Sequence, residues 1–185
     1  MLILASASPR RKEILGEIVE QFEIVPAKGE ENAEGATTPE AVVKTLARQK
    51  AREVFALPLA KGKTVLGADT VVALDGEILG KPKDEADAFR MLTALSGNTH
   101  EVYTGVCVIF PDGKERVEAD CTKVRFYPLT EEKIRAYIQT GSPMDKAGAY
   151  GIQDGGLVEK IEGSFTNVVG LPKELCEKML GACTR

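Results

Sequence analysis

The segment Thr64–Leu74, TVLGADTVVAL, constrains the fold more than any other part of the chain. It is apolar and rich in β-branched residues, with no alternation of polar and apolar positions. That is the pattern of a strand buried on both faces, and it predicts a central strand in a sheet covered by helices. Asp69 alone breaks it, in the middle of the run. A carboxylate there is expensive to bury unless it is paired, hydrogen-bonded or metal-bound. Asp69 is therefore the first candidate for chemistry, either binding a hard divalent ion or positioning a water. A hydrogen bond to nearby backbone or to Thr70 would also account for it.

Local signals supply the layers around that strand. Residues 2–5 (LILA) and 22–25 (FEIV) read as short strands. Ser8-Pro9, Thr38-Pro39, Asp84 and Thr130 each read as a helix N-cap, the first two followed by the proline favoured at the first helical position. The second helix carries Val42, Val43, Leu46, Ala47 and Val54 at helical spacing. Asp75-Gly76 is a hairpin turn, and residues 100–110 and 115–127 form a long antiparallel pair. Residues 27–37 read as a loop, and a final helix follows Pro172. Strands mixed with helices predict an α/β class with a mixed, twisted sheet flanked by helices. At 185 residues, without linker or repeat, residues 1–185 read as one domain.

Composition narrows the chemistry. His100 is the only histidine, which excludes a histidine-rich zinc site and puts the weight on Asp, Glu, Lys and Arg. His100 shows no partner in the sequence and is expected to be structural or at the surface. The net charge of −4 argues against a nucleic-acid partner. No apolar run is long enough to span a membrane, and the apolar start is too short for a secretion signal. A cytoplasmic protein is expected. Cys107, Cys121, Cys176 and Cys183 form no CxxC pair, so reduced thiols packed in the core are expected.

Three further clusters join Asp69 as candidates. Arg10, Arg11 and Lys12 sit in the first turn of a helix, where the helix dipole disfavours each cation by roughly 0.3–1 kcal/mol. An anion bound to the free N–H groups there would reverse that penalty, and arginine forks suit phosphate. A solvated basic helix start is the plain alternative. Gly80-Lys81-Pro82-Lys83 places a lysine that can reach a phosphate, or is simply a turn. In residues 145–153, DKAGAYGIQ, the glycines permit close approach of a ligand, and Gln153 offers an amide able to donate and accept, as reading a base edge requires. Glu31 and Lys50 stand out less, as a loop glutamate and a helical lysine.

Seven segments in order resemble the Maf family: LASASPRR (4–11), LARQKAR (46–52), GADTVV (67–72), GKPKD (80–84), LSGNTHEVYTGV (95–106), DKAGAYGIQ (145–153) and GSFTNVVGLP (163–172). The resemblance implies a two-lobed mixed α/β fold like that of the inosine triphosphate pyrophosphatases, with the site in a central cleft. It implies hydrolysis of a small-molecule nucleotide, NTP + H2O → NMP + pyrophosphate, with a divalent cation, Mg2+ or Mn2+, and often a homodimer. It assigns Asp69 as the catalytic carboxylate, with Glu31 as a second metal ligand. Ser6, Arg11, Lys50 and Lys81 become phosphate-binding residues. Arg10, Thr70 and Gln153 match the branch acting on dTTP and UTP, rather than the branch that has Trp, Gln and Glu there and favours 7-methyl-GTP. Asp154 stands where many members have glycine. Two rivals remain: a nucleotidyltransferase making nucleotide sugars, whose usual glycine-rich opening is absent here, and a non-catalytic nucleotide-binding regulator of cell division.

Overall fold

The structure, a computed structural model, describes residues 1–181. Cys183 lies outside the described residues. The elements run β1 (Leu2–Leu4), α1 (Pro9–Gly16), β2 (Phe22–Ile24), α2 (Pro39–Phe55), β3 (Thr64–Leu74), β4 (Glu77–Leu79), α3 (Glu85–Leu95), β5 (Thr99–Ile109), β6 (Glu115–Phe126), α4 (Glu131–Gln139), β7 (Val158–Glu162), α5 (Phe165–Val169) and α6 (Lys173–Leu180). Short 3-10 turns fill residues 142–154. The caps form as the sequence predicts. Ser8, Thr38, Asp84 and Thr130 each accept the N–H three residues ahead.

Seven strands make one mixed sheet in the order β2-β1-β3-β5-β6-β7, with β4 also paired to β3. β3 is central and almost wholly buried. β5 runs antiparallel along one side of it, from Val65 to Ala73. The other side is split. β1 pairs in parallel with residues 64–66, and β4 pairs antiparallel with residues 72–74. Among the described residues, residues 67–71 have no strand neighbour on that side. Asp69 lies at the centre of this opening, and ligands of open sheets favour such places where neighbouring strands diverge.

The core is divided accordingly. One cluster lies between the sheet and α2, with Ile3, Val65, Cys107, Ala47 and Val54. A second covers the opposite face beneath α1 and α6, with Leu4, Leu15, Leu66, Val106 and Cys176. The third packs α3 and α4 against the far end of β3, β5 and β6. The split edge lies along β3 between the first two clusters, which take Val65, Leu66 and Ala68, and the third, which takes Val72. The helix α2 touches the sheet closely because Gly67 and Gly105 face it without side chains. A Cβ on Gly105 would lie 2.3 Å from Val43 O, and one on Gly67 would lie 2.5 Å from Ala47 O.

Several expectations need correction. Cys121 is exposed, whereas Cys107 and Cys176 are buried as expected. His100 takes the structural of its two expected roles, with a partner the sequence did not show. It is 1% exposed, shares a 2.7 Å hydrogen bond with the Tyr150 hydroxyl, and packs edge-on against Phe126 and Tyr150. β7 and α5 form in a glycine-rich stretch where the sequence showed no element. No helix among the described residues is long and apolar enough to cross a membrane.

Candidate active site

The split edge of β3 opens into a cleft of about 410 Å³. Side chains alternate across a strand, so Asp69 faces α2 and Thr70 faces the opposite side. Both border the cleft, because it wraps around the exposed edge. Eight of the nine residues predicted from the sequence line it: Arg10, Arg11, Glu31, Lys50, Asp69, Thr70, Lys81 and Gln153. Ser6, the ninth, is buried just behind.

On the α2 side, one ammonium joins two carboxylates. Lys50 Nζ lies 2.6 Å from Asp69 Oδ1 and 2.8 Å from Glu31 Oε1. Asp69 is 7% exposed, so its charge is nearly buried and is answered by a cation. The hydrogen bond from Lys50 holds Glu31 below the usual carboxylate range, against a smaller opposing effect of burial. Lys50 is no simple solvated helix lysine, since it reaches Asp69 across the contact between α2 and the sheet. Glu31 belongs to the loop before α2, and that helix also fixes the loop. Glu53 accepts the N–H groups of Lys28 and Gly29, Gln49 Oε1 accepts from Asn32, and Gln49 Nε2 donates to Glu30 O at 2.6 Å.

On the other side, Arg11 is half-buried and fully tied. Its Nε donates to Gly170 O at 2.8 Å, one terminal nitrogen to Ser6 Oγ at 3.3 Å, and the other to Thr70 Oγ1 at 3.1 Å. Burial draws its guanidinium below the ordinary value, with Asp69 acting in the opposite direction; an arginine stays protonated nonetheless. Ser6 thus serves by placing Arg11, and its Oγ also accepts the Ser8 N–H at 3.2 Å.

The support beneath Arg11 was not legible in the sequence. Thr70 Oγ1 shares a 2.9 Å bond with Thr104 Oγ1, which donates to Asn167 O at 3.0 Å. Asn167 is fully buried, and its Nδ2 donates to Val102 O and Thr122 Oγ1. This network docks α5 on the sheet and so places Gly170 O against Arg11. The only available signal was an asparagine inside GSFTNVVGLP, with no periodicity to assign it.

Lys81 follows β4, and its loop is tied back where Gly148 N–H donates to Gly80 O at 3.1 Å. Lys146 lines the cleft as well, within the DKAGAYGIQ segment. Among the described residues, five cations therefore border the cleft: Arg10, Arg11, Lys50, Lys81 and Lys146. Against them stand the carboxylates of Asp69, Glu31 and Asp145. Such a surface suits a polyanion held near a small acidic centre.

The carboxylates of Asp69 and Glu31 are oxygen donors of the kind a hard divalent ion takes. Asp69 and Glu31 offer carboxylate oxygens to one point in space, now taken by Lys50 Nζ. Among the described residues, no group of three or more His, Cys, Asp or Glu is placed to hold an ion. Mg2+ commonly takes one or two carboxylates and fills its remaining positions with phosphate and water.

Comparison with known proteins agrees with this architecture. The profile of the Maf-like protein family matches residues 1–183. The dTTP/UTP pyrophosphatase of Thermococcus gammatolerans is 54% identical over 181 residues, covering 97% of this chain and 95% of that one. The dTTP/UTP pyrophosphatase of Carboxydothermus hydrogenoformans is 50% identical over 174 residues, with 92% of each chain covered. A HAM1 protein from Coxiella burnetii shares the fold at a TM-score of 0.50 and 13% identity, over 98% of this chain and 96% of that one. With the family pattern spanning nearly the whole chain and half the residues shared with relatives of similar length, the chain belongs to the Maf family.

Proposed function

We propose that this protein is a nucleoside triphosphate pyrophosphatase that converts dTTP and UTP to the monophosphate and pyrophosphate, with Asp69 as the catalytic carboxylate. The observation that carries the reading is the Glu31–Lys50–Asp69 bridge at the split edge of β3, inside a cleft bordered by five cations. Family membership and the names of the relatives support nucleotide pyrophosphatase activity.

A triphosphate brings about four negative charges, and positioning plus electrostatic neutralisation supply most of the catalysis of phosphoryl chemistry. Arg10, Arg11, Lys50, Lys81 and Lys146 provide that neutralisation. Arg11 arrives preorganised, because three protein oxygens fix its orientation before any ligand binds. Asp69 Oδ1 is held by Lys50, which leaves Oδ2 to take a proton from the attacking water. That water attacks the α-phosphorus, the bond to the bridging α–β oxygen breaks, and pyrophosphate leaves among the cations. Asp69 and Glu31 would hold Mg2+ or Mn2+, which supplies Lewis-acid activation of water and charge neutralisation when bound. Arg10, Thr70 and Gln153 are assigned to the nucleobase end, where they favour pyrimidines.

The test is a panel of canonical and modified NTPs incubated with Mg2+, with pyrophosphate and orthophosphate measured separately. UTP and dTTP should give the monophosphate and pyrophosphate with water alone. Orthophosphate without pyrophosphate, or no turnover of any NTP, would refute the reading. A requirement for a second substrate would favour a nucleotidyltransferase, and binding without turnover would favour a regulator.

A further inference from the structure

Among the described residues the Gln153 side chain has no hydrogen-bond partner, and the turn that carries it is fastened through its neighbour. Residues 152–154 form a single 3-10 turn, followed by Gly155 and Gly156 at φ of +73° and +75°. Such glycines give the backbone freedom rather than support. The fastening comes from Asp154. Its Oδ2 accepts the Tyr137 hydroxyl at 2.6 Å and the Ser142 hydroxyl at 2.6 Å. The Tyr137 oxygen in turn accepts the Gly151 N–H at 3.0 Å, so both ends of the turn close on one tyrosine of α4. Ser142 continues the chain of bonds. Lys146 Nζ donates to Ser142 O at 2.6 Å and to Ser142 Oγ at 3.0 Å.

The packing is tight as well as bonded. A Cβ on Gly151 would lie 2.9 Å from Lys146 Cε. Burial works to raise the Asp154 carboxyl, but the Ser142 and Tyr137 bonds outweigh it and hold the group below its usual range. The Tyr137 phenol is pushed up by burial and by Asp154, which keeps it a donor. Tyr137, Ser142 and Asp154 do not line the cleft, whereas Lys146, Gly151, Ile152 and Gln153 do.

We propose that Asp154 is a positioning residue for base recognition, acting through Tyr137 and Ser142 to hold Gln153 at the rim of the cleft. The proposal rests on the assignment of Gln153 to the nucleobase. It locates base selectivity partly in a clamp that never touches the nucleotide, anchored on α4.

The test uses Asp154→Ala, Asp154→Asn, Gln153→Ala and the double variant Gln153→Ala/Asp154→Ala in the full chain. Pyrophosphate release from UTP and GTP is measured, with urea denaturation as a check on folding. Asp154→Ala should raise KM for UTP by about fivefold to tenfold, the worth of one directed hydrogen bond, with kcat within about twofold. The UTP-to-GTP ratio of kcat/KM should fall toward that of Gln153→Ala. Asp154→Asn keeps an acceptor oxygen and should restore most of the loss. The double variant should be no worse than Gln153→Ala alone, because coupled residues are not additive. Unchanged KM and ratio in Asp154→Ala, beside a clear effect of Gln153→Ala, would overturn the clamp. So would losses that multiply in the double variant. A Gln153→Ala variant with wild-type KM and ratio would instead strike the base-reading assignment, and the clamp's role would fall with it.

Discussion

Gly105→Ala tests whether the closeness of α2 to the sheet places Lys50 on Asp69. Gly105 pairs with Asp69 across β3 and β5, and both face α2. Its φ is an ordinary strand value, so alanine is conformationally permitted and the added methyl group is the whole perturbation. That methyl would lie 2.3 Å from Val43 O and 2.8 Å from Lys44 N, both backbone atoms that cannot rotate aside. Ordinary contact begins near 3.4 Å, so α2 must lift by about 1 Å, and overpacking of this kind costs about 1–3 kcal/mol. The reduced freedom of the unfolded chain returns about 0.4–1 kcal/mol. A net loss of about 1–2 kcal/mol is expected, or roughly 2–8 °C in Tm for a domain of this size. The protein stays folded, but Lys50 and the loop carrying Glu31 move with α2. A misplacement of about 1 Å can lower turnover by up to the order of 100-fold, so kcat should fall by more than stability alone explains. Urea denaturation and pyrophosphate release from UTP read the two effects. Gly16→Ala is the control, because no atom lies within 4 Å of its Cβ position. A Gly105→Ala protein with wild-type urea midpoint and wild-type kcat would refute the reasoning.

Two other perturbations address the base end and the core. Arg10→Ala should lower the preference for UTP over GTP by about tenfold, the scale of a charge-assisted hydrogen bond, with Tm almost unchanged; a constant ratio would remove Arg10 from base selection. His100 is drawn down to about 4 by burial, against about 6.5 in the unfolded chain. Between those values the unfolded state binds the extra proton, so stability falls as pH drops from 6.5 to 4, by about 3 kcal/mol when complete. His100→Gln, which cannot titrate, should show a shallower decline of urea midpoint over that window, and parallel declines in the two proteins would contradict the burial argument.

The parts of this molecule legible in the sequence are those fixed locally. β3 is bounded as its β-branched run and the Asp75-Gly76 turn predict. The capped starts of α1 to α4 follow because Ser8, Thr38, Asp84 and Thr130 satisfy donors only three residues away. β7 was not legible, since a short strand with charged residues on its outer face gains its order from pairing with β6. α5 depends on Asn167, whose partners Val102 and Thr122 lie 65 and 45 residues away. His100 looked partnerless because Tyr150 is 50 residues distant. The same holds within the site. Asp69 announced itself by its burial, whereas the part Lys50 plays depends on two glycines that let a helix approach the sheet. Glu31 depends on Gln49 and Glu53, two polar residues of α2 that resemble any solvated pair in the sequence.

The central claim is that Asp69 performs the hydrolysis, and Asp69→Asn tests it most directly. Lys50 keeps Glu31 as a partner at 2.8 Å and the amide is nearly isosteric, so the variant should stay folded. Pyrophosphate release from UTP with Mg2+ should fall at least about 100-fold, as expected on losing a catalytic acid–base group, while the circular dichroism spectrum and urea midpoint stay close to wild type. A folded Asp69→Asn protein that retains near-normal pyrophosphate release would contradict the account.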